Sequence, residues 1–247
     1  MPLLPRAFSI AGLRREQSGC LIDLIYRVVG VATRWMSGLV RGDRVGLLGP
    51  LGQPFSIVPG ASRAWLVAGG VGLPPLLWWA EHLHQRGIHS VAFVGAAEGD
   101  VLPLRLTGTP DQSAGTARPV AAELAAHETP VVVATLDGSI GFRGNVVDAM
   151  TRYRRARNAP SADVVVYTCG PEAMMRAVAR YCARQDIRCY VCMERSMACG
   201  VGTCQSCVVA IRDDAGPRAN SGAGAVRYAL CCTQGPVFRA DRVVWDA

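Results

Sequence analysis

The central part of the chain alternates short apolar runs with segments in which apolar residues recur at helical spacing. Four runs between residue 62 and about residue 186 have the length and composition of strands buried within a sheet: 64–68, 90–95, 130–135 and 163–168. Amphipathic helical segments follow the first, third and fourth of these runs. This alternation predicts an α/β domain that is built on a parallel sheet.

The two ends of the chain differ from this central part in composition and in the pattern of apolar residues. β-Branched and aliphatic runs at 20–29 and 43–48 predict strands in a β-rich segment that extends to about Phe55, with a turn at 49–52. From about Cys189 the chain is rich in glycine and cysteine, and 213–224 has the composition of a flexible loop. The pattern therefore predicts a multidomain protein of the β + α/β class.

The cysteines of the C-terminal segment have an informative spacing. Cys199, Cys204 and Cys207 form a C-x4-C-x2-C motif, and Cys231 and Cys232 follow at a distance. This is the plant-type spacing for a [2Fe-2S] cluster, and glycines within the motif let the backbone fold closely around a cluster. The alternatives are a disulfide knot or a structural zinc site, although zinc sites favour paired C-x2-C motifs. A Rieske centre is excluded, because it needs two histidine ligands and no histidine follows His127.

Length and cysteine content limit the class of protein. The 247 residues, half of them hydrophobic, suffice for two or three small domains with their own cores. The longest apolar run, 65–80, is interrupted by glycine and proline and is too short to span a bilayer. The N-terminus lacks the features of a signal peptide. Ten cysteines in such a chain favour metal ligation in a reducing compartment, so we expect a cytoplasmic protein without a membrane span.

The net charge of +7 is carried by arginine, since the chain contains no lysine. Without lysine, Schiff-base chemistry and a Walker A phosphate loop are excluded. Four arginines between 152 and 157 lie at the expected end of a helix, without an RNA motif or a helix-turn-helix pattern. We interpret them as a solvated helix end and predict no nucleic-acid partner.

Glycine-bearing turns follow three of the predicted parallel strands. The first contains Gly69, Gly70 and Gly72 and leads into a helix that starts with proline, the second is 135–144, and the third begins at Thr168. Glycines let the backbone approach a pyrophosphate at a helix N-terminus, although they also serve tight packing alone. Ligands of open α/β sheets bind at the carboxyl ends of the strands, so the three turns predict a nucleotide site.

Eight sequence blocks, in order along almost the whole chain, resemble the electron transfer subunit of class 1B dihydroorotate dehydrogenase, within the ferredoxin–NADP reductase superfamily. The blocks are Arg6-Ala-Phe-Ser9, Tyr26-Arg-Val-Val-Gly30, Gly49-Pro-Leu-Gly52, the Gly69 turn, 135–144, Cys169-Gly-Pro171, Met197-Ala-Cys-Gly-Val-Gly-Thr-Cys204 and Gly235-Pro-Val-Phe238. The resemblance implies a partial FAD-binding β-barrel at 1–60, an NAD-binding α/β domain at 61–187 and a [2Fe-2S] domain at 188–247.

The resemblance also implies individual cofactor-binding residues. The flavin would be bound by Arg6 near its pyrophosphate, Ser9 near its N5 atom, and Phe8, Gly30 and Thr33. The alternatives without a role in flavin binding are a surface charge for Arg6 and turn or cap roles for Ser9 and Thr33. The nucleotide would be bound by Gly69, Gly70, Gly72, Glu98, Thr135, Asp137, Gly138, Cys169, Gly170 and Pro171. Ser9 and Cys169 are the predicted catalytic residues.

For the cluster, the resemblance adds a fourth ligand to Cys199, Cys204 and Cys207. Cys232 falls at the ligand position of the family, and Cys231 remains a substitute because the preceding loop is long. Cys189 and Cys192 form a further C-x2-C in a probable strand, which we interpret as packing thiols, with a second metal site as the alternative.

The implied function is electron transfer. NADH would deliver a hydride to FAD, and single electrons would pass to the [2Fe-2S] cluster and exchange with an FMN in a separate catalytic subunit that oxidises dihydroorotate to orotate in pyrimidine biosynthesis. In that direction electrons flow to NAD⁺. Two alternatives remain: a reductase of the same architecture that serves a hydrogenase, a sulfide-linked complex or an oxygenase, and a non-enzymatic module stabilised by zinc.

The first block departs from the family pattern in its position. The Arg-x-Phe-Ser block normally follows several barrel strands, whereas here it begins at residue 6. A barrel without those strands would have open edges that are prone to aggregation. We therefore expect either a start codon further upstream or weakened flavin retention.

Overall fold

The computed structural model describes residues 5–17, 19–158, 163–213 and 226–245. Its centre is a seven-stranded sheet. In chain order the strands of this sheet are β3 Arg63–Gly69, β4 His89–Ala96, β5 Val131–Thr135, β6 Phe142–Arg143, β7 Val164–Cys169, β8 Arg188–Cys192 and β11 Val237–Arg239. Across the sheet they lie in the order β11-β8-β7-β3-β4-β5-β6. Neighbouring strands are parallel except for β11, which pairs antiparallel with β8. The predicted fold class is confirmed.

Both faces of the sheet are buried, as is typical of a mainly parallel sheet with helices on both sides. Along β3, Trp65 and Val67 belong to one core cluster and Leu66 and Ala68 to the other, because successive side chains of a strand point to opposite faces. Helix α2 (Pro74–His84) packs on the second face, and α4 (Val146–Arg157) and α5 (Glu172–Arg184) pack on the first. The short helix α3 is Ala122–Ala125.

Local sequence explains where these helices begin and end. Helix α2 starts on two prolines, which tolerate the first turn because its N–H groups have no intrahelical partner. The side chain of Asn145 caps α4 by accepting hydrogen bonds from the N–H groups of Val147 and Asp148. Asn158 ends the same helix in the left-handed conformation. No helix within the described ranges is both long enough and apolar enough to cross a membrane.

The described N-terminal segment contains a hairpin and one short helix. Strands β1 (Gly12–Glu16) and β2 (Gly19–Asp23) pair antiparallel, and helix α1 is Val31–Met36. The strand expected at 43–48 is wrong, since these residues form no strand in the described structure. Val45, Leu47 and Leu48 in this stretch are exposed. Residues with a high β propensity form a strand only where a neighbouring strand pairs with them, and none of the described strands pairs with 43–48.

The C-terminal segment attaches to the sheet as well as forming its own hairpin. Strands β9 (Val208–Arg212) and β10 (Val226–Leu230) pair antiparallel. The seven-stranded sheet draws β8 and β11 from beyond residue 187, where the sequence places the start of the cluster domain. The loop expected at 213–224 lies outside the described residues from residue 214 onward.

Candidate functional site

The turns after β3 and β7 meet at the carboxyl edge of the sheet. Ala68 and Cys169 are paired across the two parallel strands. A Cβ atom on Gly72 would lie 2.2 Å from the Cys169 carbonyl oxygen, and one on Gly69 would lie 2.8 Å from Cδ of Pro171. These glycines are therefore required for the close packing of the two turns. Gly70 differs, because its φ of +49° and the open space beside it leave its backbone accessible to a ligand.

Cys169 ends β7 at this edge and is almost fully buried. Its thiol is hydrogen-bonded to that of Cys192, its partner on β8, and this bond together with burial raises the pKa of Cys169 well above its ordinary value. The side chain is a neutral thiol at physiological pH. It suits a wall against which an uncharged ring packs, and it does not suit a nucleophile.

The loops after β4 and β5 are joined by hydrogen bonds. The N–H of Gly99 donates to Oγ of Ser139 at 2.8 Å, and that hydroxyl donates to Oδ1 of Asp137 at 2.7 Å. The N–H of Ser139 also donates to Oδ1 of Asp137, and this backbone bond is the main cause of the lowered pKa of Asp137. An exposed, ionised carboxylate is thus held at the carboxyl edge of the sheet. Ser139 is not among the site residues predicted from the sequence, where its only signal is its place in a glycine-bearing turn.

The other predicted residues of these loops serve different local purposes. Thr135 is fully buried, and its hydroxyl donates to the Ile140 carbonyl at 2.8 Å, so it closes the loop on itself. Gly138 has a φ of +79° that an L-residue rarely adopts. Glu98 is exposed before the 3₁₀ turn Gly99–Val101 and its side chain does not cap that turn, which leaves its carboxylate available.

The predicted flavin-binding residues lie in and around the N-terminal hairpin. The Phe8 ring packs edge-on against Tyr26 with ring centroids 5.9 Å apart. Thr33 Oγ1 accepts hydrogen bonds from the N–H groups of Val29 and Gly30, at 3.0 and 3.1 Å. Thr33 therefore caps helix α1, as in the alternative considered for it. Arg6 and Ser9 are exposed.

The cysteine loop curls tightly around Cys199. Gly200 and Gly202 have φ values of +72° and +87°, which suit glycine. The N–H groups of Val201 and Cys204 both donate to Sγ of Cys199 at 3.4 Å. Backbone donors directed at a ligand sulfur are a feature of iron–sulfur sites, where they tune the potential.

Cys204 is exposed and strongly acidified. The hydroxyl and the N–H of Ser206, followed by the backbone of Cys199, lower the pKa of Cys204 to about 6. Oγ of Ser206 lies 3.2 Å from Sγ of Cys204 and is also bonded to the Ser196 carbonyl. Since the thiolate is the metal-binding form, this environment suits the ligand role predicted for Cys204.

Strand pairing brings the distant cysteines to the same place. Val208 pairs with Leu230, so Cys207 and Cys231 come together at the end of the hairpin, where the N–H of Cys231 donates to the Cys207 carbonyl at 2.9 Å. The Cys232 thiol is hydrogen-bonded to Cys207 and lies near Cys199 and the Gly202 N–H, and burial raises its pKa.

The thiol of Cys231 lies in a different environment from that of Cys232. Burial raises the pKa of its thiol to about 12, with Cys207, Cys192 and Cys232 as thiol neighbours and Arg195 as the nearby cation. Cys199 is absent from this set, whereas it is present for Cys232. These neighbours favour Cys232 as the fourth ligand, and the assignment remains a prediction.

The arrangement of the cysteines differs from that of a site for a single metal ion. Within the described ranges, no three His, Cys, Asp or Glu side chains converge on a point as a single metal ion requires. A [2Fe-2S] cluster has two iron atoms with two thiolates each, so its ligands spread over a wider space. Four cysteines, with backbone N–H donors at Cys199 and Cys232, fit such a cluster in residue type.

Cys189 and Cys192 are three residues apart on β8 and therefore face opposite sides of the sheet. The thiol of Cys189 is hydrogen-bonded to that of Cys182 in one core cluster, and the thiol of Cys192 is hydrogen-bonded to that of Cys169 in the other. The two thiols cannot share a metal ion. The interpretation as packing thiols agrees with this placement.

Comparisons with known proteins agree with the prediction of an iron–sulfur electron transfer protein. The family model for the iron–sulfur cluster binding domain of dihydroorotate dehydrogenase B matches residues 194–244. The chain is 33% identical over 245 residues to the dihydroorotate dehydrogenase B (NAD(+)) electron transfer subunit of Desulforamulus reducens, covering 99% of this chain and 82% of the relative. It is 35% identical over 243 residues to the subunit of the same name from Listeria monocytogenes serovar 1/2a, covering 98% of this chain and 81% of the relative.

A solved structure extends the likeness to the whole fold. The chain aligns with an NADH-dependent reduced ferredoxin–NADP oxidoreductase, described in the context of flavin-based electron bifurcation, with a TM-score of 0.74 and 26% identity. The alignment covers 97% of this chain and 74% of that one. With relatives above 30% identity along almost its full length, the chain belongs to the family of electron transfer subunits of dihydroorotate dehydrogenase B.

Proposed function

We propose that this protein transfers electrons between NAD(H) and a partner dehydrogenase through FAD and a [2Fe-2S] cluster, and that it serves the oxidation of dihydroorotate in pyrimidine biosynthesis. One observation carries the proposal: the pairing of β9 with β10 places Cys231 and Cys232 beside the loop that contains Cys199, Cys204 and Cys207. The names of the relatives support the assignment of the partner reaction.

The bound cofactors supply the redox chemistry, since a flavin exchanges electron pairs with a nicotinamide and single electrons with a cluster. The protein residues hold these groups in position. The Gly69 and Cys169 turns leave room at the sheet edge for a nucleotide, with the open backbone of Gly70 facing it. Asp137, fixed by Ser139, accepts hydrogen bonds from a ribose. Arg6, Phe8, Ser9, Gly30 and Thr33 belong to the flavin site in this proposal.

For the partner, the relatives are called electron transfer subunits, which implies a catalytic subunit. We assign this role to an FMN-containing dihydroorotate dehydrogenase subunit that forms a hetero-oligomer with this chain. We assign the protein to the cytoplasm, because ligation of a metal cluster by cysteine thiolates suits a reducing compartment.

A second candidate has a specific observation in its favour. The whole-chain likeness to a ferredoxin–NADP oxidoreductase suits a reductase that exchanges electrons with a small carrier protein instead. The two candidates differ in the partner that reduces the cluster.

The deciding experiment uses the anaerobically purified chain, alone and together with the FMN subunit. With the subunit present, dihydroorotate should give the EPR signal of a reduced [2Fe-2S] cluster, whereas the chain alone should respond only to NADH. A cluster that stays oxidised under dihydroorotate, but that exchanges electrons with ferredoxin, would contradict the partner assignment. An EPR-silent, colourless zinc protein would contradict the whole proposal.

The same signal distinguishes the two candidates for the fourth ligand. Replacing Cys199, Cys204 or Cys207 by serine should remove or badly destabilise the cluster, because each supplies a thiolate. Cys232→Ser should do the same, and Cys231→Ser is the matched variant that should keep it. A normal signal in Cys232→Ser together with its loss in Cys231→Ser would reverse the assignment.

A further inference from the structure

The hydroxyl of Ser206 connects a predicted cluster ligand to the segment that enters the cysteine loop. Its Oγ lies 3.2 Å from Sγ of Cys204 and donates to the Ser196 carbonyl at 3.3 Å. Between Cys204 and Ser206, Gln205 has a φ of +56°, a left-handed conformation that is uncommon outside glycine. With the chain turned in this way, the hydroxyl lies against the sulfur of the residue two positions before it.

This contact comes from a side chain and not from the backbone of the loop. Among the residues that the structure describes, Ser206 is the only serine or threonine whose hydroxyl is hydrogen-bonded to a cysteine sulfur. Cys199, by contrast, accepts its bonds from two backbone N–H groups, at 3.4 Å each. A backbone donor is present whatever the side chain is, whereas the donor at Cys204 depends on the serine and can be removed by substitution.

A serine hydroxyl has one hydrogen, which rotates to suit its surroundings. In the thiol form of Cys204, both contacts have a hydrogen when the S–H donates to Oγ of Ser206 and the hydroxyl donates to the Ser196 carbonyl. A cysteine bound to iron is a thiolate and has no hydrogen to donate. The contact between Sγ and Oγ then requires the hydroxyl hydrogen, and water can replace it at Ser196, which is exposed.

We propose that, with the cluster bound, the Ser206 hydroxyl donates a hydrogen bond to the Cys204 sulfur and thereby raises the reduction potential of the [2Fe-2S] cluster; this inference rests on the function proposed above. Reduction adds one electron, and part of the added negative charge falls on the ligand sulfurs. A hydrogen bond to a more negative acceptor is stronger, so the hydroxyl stabilises the reduced form more than the oxidised form. Ser206 is not a ligand in this proposal and acts through the Cys204 sulfur.

The test is a redox titration of the cluster, followed by EPR, in the anaerobically purified chain. Ser206→Ala should lower the potential, with the equilibrium constant for reduction falling about tenfold, which is about 59 mV for one electron. Ser206→Gly should give the same shift, so that the result does not depend on how one variant folds. Ser206→Thr keeps the hydroxyl and should stay close to the wild type.

Thr203→Val is the matched control. Thr203 is an exposed residue of the same loop, directly before Cys204, and within the described ranges its hydroxyl makes no hydrogen bond. Removing this hydroxyl should leave the potential unchanged. A potential that rises in Ser206→Ala and Ser206→Gly, or that falls no further than in the control, would overturn the inference.

A second measurement separates the hydrogen bond to sulfur from the bond to the Ser196 carbonyl. In protein exchanged into D₂O, ENDOR spectra of the reduced cluster should show a deuterium coupling in the wild type that Ser206→Thr retains and Ser206→Ala lacks. A lowered potential in Ser206→Ala without loss of this coupling would mean that Ser206 acts only by holding the backbone at Ser196, and the inference would be wrong.

The wild-type protein separates this inference from the function on which it rests. Absence of a [2Fe-2S] signal in the wild type would refute the proposed function, and the inference with it. A normal wild-type cluster whose potential does not respond to loss of the Ser206 hydroxyl would overturn the inference alone.

Discussion

At the scale of single residues, the cysteines show how environment divides chemically identical side chains. Cys204 is exposed beside a serine hydroxyl and has a pKa of about 6, whereas buried Cys231 has a pKa of about 12. Cys169 and Cys189 are each hydrogen-bonded to a second buried thiol, and both pKa values are raised. Hydrogen bonding and burial thus give these cysteines different pKa values, although the predicted ligands Cys207 and Cys232 are as buried as the packing cysteines.

This difference predicts a pH-dependent pattern of alkylation. In protein stripped of its cluster by a chelator, Cys204 should react with iodoacetamide with a midpoint near pH 6, because the thiolate is the nucleophile. Ser206→Ala should move the midpoint upward, since it removes the hydroxyl that contributes most to the lowered pKa. Peptide mass spectrometry across a pH series measures both.

Cys231 is the internal reference in the same digest. It should remain unmodified throughout the neutral range, because its buried thiol is protonated there. A Cys204 midpoint near pH 9 in the unaltered chain would show that Ser206 does not stabilise the thiolate.

At the scale of elements, the loops after β4 and β5 form one unit at the sheet edge. Besides the Ser139 bridge, the N–H groups of Leu136 and Asp137 donate to the carbonyls of Ala96 and Ala97, at 3.2 and 3.3 Å. A loop joined in this way holds the Asp137 carboxylate in a defined place, where we predict that a ribose binds. Because the strands that precede the loops are parallel neighbours, residues 40 positions apart become adjacent.

We expect this unit to select NADH over NADPH. A carboxylate accepts hydrogen bonds from the ribose 2′-hydroxyl and repels a 2′-phosphate. Asp137→Asn should reduce the preference for NADH severalfold, since the neutral amide accepts a weaker hydrogen bond from the 2′-hydroxyl and no longer repels a 2′-phosphate. Glu98→Gln should reduce it as well, and Ser139→Ala should have a weaker effect in the same direction. Stopped-flow flavin reduction with each nucleotide measures the ratio of rates.

Glu128→Gln is the matched control, because Glu128 is also an exposed acid but precedes β5 and lies at the opposite end of that strand from Asp137. It should leave the ratio unchanged. Equal rates with NADH and NADPH in the unaltered protein would refute this interpretation of the two loops.

At the scale of the whole molecule, the N-terminal segment is attached to the cluster region through the turn at 49–52. The N–H of Gln53 donates to the Gly235 carbonyl at 2.5 Å, and a Cβ on Gly52 would lie 2.5 Å from that same oxygen. On the other side of the turn, a Cβ on Gly200 would lie 2.9 Å from Cδ1 of Leu51. Two segments about 180 residues apart are thus packed together at backbone distance.

Gly52→Ala should therefore loosen the cluster region. The added methyl group meets backbone and a proline ring, which cannot move aside by a rotamer change, and such overpacking costs about 1–3 kcal/mol. The variant should lose its cluster faster on dilution and should show a lower Tm, by about 2–4 °C per kcal/mol for a chain of this size. Visible absorbance and thermal melting measure the two effects.

Gly42→Ala isolates the contribution of packing. Gly42 also has a positive φ, of +103°, but nothing lies within 4 Å of its Cβ position, so the substitution brings backbone strain without a clash. If the two variants destabilise the protein equally, the contact between the turn and the cluster region does not stabilise the cluster.

The sequence alone determined the features that depend on local spacing. The parallel strands, the helices that follow them and the C-x4-C-x2-C motif were all predicted, because strand periodicity, helix periodicity and ligand spacing are set by a few neighbouring residues. The resemblance across the chain identified the family, and the comparisons confirm it. The strand expected at 43–48 was wrong because a strand needs a partner, and local composition does not reveal whether one is present.

Only the tertiary structure decided which distant groups meet. The bridge from Gly99 through Ser139 to Asp137 and the ion pair of Arg195 with Glu172 each join segments whose sequences carry no sign of one another. The opposite orientations of Cys189 and Cys192 also follow from the sheet, since its two faces become different cores. The physical reason is that pKa values, charge balance and glycine packing depend on distances through space, which the order of residues along the chain does not specify.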